Sequence, residues 1–144
     1  MTFDTFESIR KYAPDAKIMF ADDSIEPLPS EWAVKLKQQV DVAIHFNDHP
    51  LVQLLSKSGR QSQAEAELMI SVLNYLRMNM FPDLEADRYF KITGRCCLDE
   101  GFNLDSYKGI DNFVFKKRVQ SWMHPDLSLL DTILWSVGSK YLLD

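Results

Sequence analysis

Disulfide chemistry is nearly absent from this chain. Its 144 residues hold two cysteines, Cys96 and Cys97, and they are adjacent. Neighbouring cysteines reach disulfide geometry only with strain, so a framework of bridges is excluded. The pair is expected to be reduced and buried, as in a cytoplasmic protein. Glycine and proline are also sparse, at five and six, which excludes collagen-like and low-complexity chains. No apolar run approaches the ~20 residues of a membrane span. The longest apolar block, around residues 68–80, is interrupted by Ser71, Asn74, Arg77 and Asn79. The first residues, Met1 to Glu7, are acidic, so no secretory signal is expected there. A cytoplasmic location without membrane attachment follows as the expectation.

Recognisable catalytic signatures are missing too. There is no Walker loop, no dinucleotide-binding glycine pattern and no nucleophile elbow. Cys96 or Cys97 could act as a nucleophile, but Arg95 is the only neighbouring charge that would activate it. No cofactor is expected, and the chain is not read as an enzyme. Acids alternate at Asp83, Glu85 and Asp87, but Arg88 stands where a calcium loop needs Gly and Gly94 where it needs Glu. Asp41, His45 and His49, spaced four apart, are the metal candidates, since i and i+4 ligands on one helix can share an ion. On a helix Asp41 and His45 would face away from Trp32, Leu36, Val40 and Ala43, so metal binding is not expected.

What is present is enough apolar side chain for a core. Hydrophobic residues make up 46%, and the length suits a single globular domain over residues 1–144. Helical spacing predicts an all-α bundle of about six helices with short connections. The first helix is placed at 5–12, with Asp4 as N-cap and Pro14 as stop. The second runs from Ser30 to about His45, and a short one covers 50–57 between Pro50 and Gly59. A capping box at Ser62–Glu65 opens the fourth, whose expected core stripe is Ala66, Met69, Val72, Leu73, Leu76 and Met80. Two more helices are placed at 105–123 and 126–142. A short strand pair at 17–20 and 89–93 is the only sheet considered.

The net charge of −5 is unevenly laid out. Residues 1–31 carry seven acids and three bases, and 82–105 carry six and three, whereas the other segments are each +1. An acidic surface repels phosphate backbones and suits a basic partner. Nucleic acid is therefore not the expected partner. A regulator using the last two helices as a helix-turn-helix, with Lys116, Lys117 and Arg118, is the lesser alternative. The leading expectation is a small acidic inhibitor, immunity factor or adaptor that covers a basic surface of another protein. Its candidate contacts are Asp22, Asp23, Ile25, Glu26 and Leu28 in an acidic loop. Trp135 and Leu142, seven apart on the expected last helix, add a contact surface for a partner or a homodimer. A small helical enzyme or metal-binding protein of unrecognised class is the other alternative.

Overall fold

The computed structural model describes residues 2–115, 118–120, 128–130 and 134–143. They form a mixed α/β protein, and the expected all-α helical bundle is wrong. Two compact units are distinguished, residues 15–84 and residues 1–14 with 85–144.

The unit of residues 15–84 is built on a β-α-β crossover. Strand β1 (Met19–Asp22) leads through helix α2 (Ser30–Gln39) to β2 (Val42–His45), which pairs with β1 in parallel. A parallel pair needs a crossover of a dozen or more residues, and α2 supplies it. The expected helix to His45 ends six residues early. Val40 is already extended, at φ −122° and ψ 151°. The run Val40 to Ile44 is rich in β-branched residues, which lose side-chain freedom in a helix and pack well on a sheet. Strand β1 lies two residues later than the expected 17–20, and 89–93 is not its partner. Its true neighbour is β2, in the register Met19 with Val42 through Asp22 with His45.

Helix α3 (Pro50–Lys57) matches the reading from Pro50 and Gly59. Gly59 takes a φ of +74°, which ends the helix in the left-handed conformation that glycine adopts without Cβ strain. Helix α4 (Gln61–Arg77) starts one residue before the expected capping box, and its N-cap Arg60 makes no side-chain cap. Its buried residues are Ala64, Leu68, Ser71 and Val72, with Tyr75 and Leu76 packed beside them. That stripe is turned by about 100° from the expected one, on a wheel of 100° per residue. Met80, expected inside, is 54% exposed. Phe46, Val52, Leu68 and Val72 form the core of this unit, with Met19, Ala21 and Ile44 of the two strands against it.

The unit containing both chain ends holds helix α1 (Thr2–Tyr12) and strand β3 (Arg88–Ile92), then β4 (Val114–Phe115) and β5 (Arg118–Gln120). Strands β6 (Ser128–Leu130) and β7 (Leu134–Gly138) and helix α5 (Lys140–Leu143) follow. β7 lies between β3 and β4, antiparallel to both, and β5 pairs with β6. The expected helices at 105–123 and 126–142 are therefore corrected: one 3-10 turn at Leu104–Tyr107 and short strands occupy most of their described length. Short apolar runs satisfy helical and strand spacing alike, and pairing across the chain decided the outcome. Among the described residues, strands β4 to β7 stand where the helix-turn-helix is expected. Lys116, Lys117, Trp122, Met123 and Ile133 lie outside the described residues.

Val137 and Ser136 on β7 are 0% and 1% exposed. Arg88 ties this strand to the chain before β4. Its Nε donates to Ser136 Oγ at 3.0 Å, and its other nitrogens donate to the carbonyls of Ile110 and Asn112. Gly138 is needed for the same approach, because a Cβ there would lie 2.7 Å from the Asp111 carbonyl oxygen. Among the described residues, no helix is long and apolar enough to cross a membrane.

Candidate functional site

The clearest polar constellation stands at the carboxyl ends of β1 and β2. Each strand ends on a polar residue, Asp22 and His45, after an apolar run that anchors it in the core. Parallel register sets these two residues opposite one another, although 22 residues separate them between the strand ends. The backbone closes the end of the pair, with Phe46 N–H donating to the Asp22 carbonyl at 2.8 Å. Phe46 is itself buried and stacks on Tyr75, with ring planes 14° apart. Gln53 Nε2 donates to its carbonyl at 3.2 Å, so the exit from β2 is held firmly.

Asp22 Oδ2 lies 2.7 Å from His45 Nδ1, with side chains 15% and 21% exposed respectively. Ser24 Oγ donates to the other carboxylate oxygen, Oδ1, at 2.8 Å. The 2.7 Å contact is an ion-pair distance without hydrogen-bond alignment. Asp22 Oδ2 and both imidazole nitrogens are buried without an aligned partner in the protein. Oδ2 and Nδ1 face each other, so His45 Nε2 is the buried polar atom left without a counterpart; such an atom costs about 1–3 kcal/mol and calls for a reason. In a neutral imidazole, a carboxylate beside Nδ1 places the proton there and leaves Nε2 as the acceptor. Asp23 follows directly. Burial is the main cause that raises its carboxyl above the ordinary value, a backbone hydrogen bond opposes this, and the charges of Asp22 and Glu65 add to the rise.

The metal candidates are scattered by the strand. Asp41 stands at the start of β2 and accepts from Ile18 N–H at 2.8 Å, with Lys17 Nζ at 3.4 Å. His45 stands at the other end, about 13 Å away along an extended chain. His49 caps α3: its Nδ1 accepts from Val52 N–H at 3.3 Å, and its Nε2 lies 3.4 Å from Ser71 Oγ. The cap requires a lone pair on Nδ1, so the proton sits on Nε2 and Ser71 accepts it. Among the described residues no group of three or more His, Cys, Asp or Glu side chains could hold a metal ion.

The contact candidates fare unequally. Asp22 and Asp23 are half-buried, and Asp22 is engaged with His45 and Ser24. Ile25 and Glu26 are exposed, and Leu28 is half-buried. Trp135 lies on β7 opposite Lys91 and Phe115, with its ring 5.8 Å from that of Phe113. Leu142 belongs to α5, so the two do not share a helix. Pairing of Asp22 with His45 was missed from the sequence. The available signal was a pair of short apolar runs, each ending on a polar residue, on either side of a helical stretch.

No protein-family model, curated protein or solved structure matches the chain.

Proposed function

We propose that the chain binds a polar small molecule at the carboxyl ends of β1 and β2, with Asp22 and His45 as its acid–base pair. The observation that carries this reading is the buried, unpartnered His45 Nε2 beside a carboxylate that faces Nδ1. In open α/β sheets, ligands bind outside the carboxyl ends of parallel strands, which is where this pair stands. Asp22 orients the imidazole, Ser24 holds Asp22, and His45 Nε2 accepts a hydrogen bond or a proton from the ligand.

The test is a thermal-shift screen of polar metabolite-sized compounds against the parent chain, His45→Gln and Asp22→Asn. At a hundredfold excess over Kd, a ligand of this site raises the parent's melting temperature by roughly 5–10 °C. Both variants lose that rise. A screen without any shift, or shifts that survive both substitutions, ends the proposal.

A second reading has its own support. Ile25, 44% exposed, and Glu26 project from the acidic segment after β1 and suit a protein partner with a basic surface. On this reading Glu26→Lys slows association, and added salt shrinks the difference. Equal rates for both chains at low salt count against it.

A further inference from the structure

The adjacent cysteines lie outside the Asp22 site and have a setting of their own. After β3 the chain turns, with Cys96 N–H donating to the Thr93 carbonyl at 2.9 Å. The pair is unbridged, Cys96 half-buried and Cys97 exposed, which corrects the expectation that both are buried. The backbone on both sides of Cys97 is fastened to α1. Thr5 Oγ1 donates to the Cys96 carbonyl at 2.7 Å, and Leu98 N–H donates to Ser8 Oγ at 2.9 Å. Ser8 Oγ in turn donates to the Thr5 carbonyl at 2.7 Å. Thr5 is only 1% exposed, so its hydroxyl has little access to water as a substitute partner. The carbonyl that Thr5 holds belongs to the peptide unit joining the two cysteines.

That coincidence couples thiol chemistry to helix docking. Consecutive Cα atoms across a trans peptide are about 3.8 Å apart, short of the ~4.4 Å at which ordinary disulfides begin. Joining neighbouring sulfurs closes an eight-membered ring, which a flat trans peptide resists. The ring forms when that peptide twists, and the twist swings the Cys96 carbonyl away from Thr5. We propose that Cys96 and Cys97 are a redox switch: a disulfide between them unfastens residues 96–98 from α1.

The oxidant is a low-molecular-weight disulfide of the glutathione class. The exposed Cys97 thiolate attacks one of its sulfurs, forming a mixed disulfide and expelling one thiolate. The Cys96 thiolate then attacks Cys97 Sγ and expels the second. Two electrons pass to the reagent, and the two protein thiol protons end on the two released thiols. Strain makes the ring easy to reduce, so excess thiol restores the dithiol. Coupling is reciprocal: the hydrogen bonds to α1 oppose oxidation by as much as oxidation weakens them.

The full chain is equilibrated with glutathione mixtures of graded oxidised-to-reduced ratio and followed by intact mass. The parent loses two hydrogens and carries no adduct at the end point. Cys96→Ser and Cys97→Ser each stop at a single glutathione adduct. Thr5→Val moves half-oxidation to a less oxidising mixture by about fivefold, the worth of one hydrogen bond. Ser8→Ala moves it the same way and carries the comparison if Thr5→Val does not fold. The proposal is overturned if the parent keeps both thiols in oxidised glutathione, or ends as a stable adduct or a linked dimer. It is equally overturned if half-oxidation stays put in the folded Thr5 or Ser8 variant.

Discussion

Residues 15–84 and the unit made of both chain ends solve the same problem over different distances. In the first, strands β1 and β2 are joined by the helix that follows β1, and α3 packs on α4, its next neighbour. In the second, Arg88 bonds Ser136 across 48 positions, and Thr5 bonds Cys96 across 91. Closing a longer loop costs more entropy, and the contacts that repay it come only when both ends have met. The first unit is thus closed over shorter loops, although its strands still need each other. The second depends on partners that no stretch of neighbouring residues specifies.

Three perturbations sharpen that contrast. The largest is Phe46→Ala. It removes a buried ring from the core of residues 15–84 and costs about 3–5 kcal/mol in chemical denaturation. Amide exchange should quicken in β1, β2, α3 and α4, with β3 and β7 keeping their protection. Equal loss in β3 and β7 breaks the distinction between the units. Next is Arg88→Met, which removes donors to Ser136, Ile110 and Asn112. It costs about 1.5–3 kcal/mol, and exchange should quicken at β3 and β7 rather than at β1 and β2. An unchanged denaturation midpoint means that water replaces the guanidinium without loss.

The smallest is Asp23→Asn, and its sign depends on pH. Burial raises the native carboxyl above the ordinary 3.8, so the folded chain holds this proton longer than the unfolded one. Stability therefore falls as pH rises through the window from 3.8 to the raised value, and stays lowered above it. The amide avoids this loss. Asp23→Asn should melt higher than the parent at neutral pH, with the gain fading as pH drops towards 3.8. A gain that persists unchanged at low pH assigns the effect to something other than this charge.

Legibility in the sequence divides by element rather than by unit. α3 is legible in the sequence because Pro50 and Gly59 act on their own backbone. α4 was recognised as a helix but turned by about 100°, since an apolar stripe wider than the core leaves its centre undetermined. Val40 to Ile44 carries helical spacing with Trp32, Leu36, Val40 and Ala43, while the parallel partner of β2 that makes it a strand is Met19–Asp22. Beyond residue 104, Phe115 and Val119 keep a four-residue spacing in what are two short strands. Asp41, His45 and His49 lie apart for a related reason. A spacing of four joins side chains on a helix and parts them on a strand. Asp22 stands out in the sequence by its charge, but only the strand register shows its partner.

Composition and local punctuation thus settle that the chain carries no disulfide framework, has enough apolar surface for a core, and bounds its third helix with Pro50 and Gly59. These depend on each residue's own chemistry and nearest neighbours. Tertiary structure decided which apolar runs became strands, which face of α4 went inside, and that Asp22 meets His45. Those outcomes depend on burial and pairing between segments far apart in the chain, where the partner rather than local preference selects the conformation.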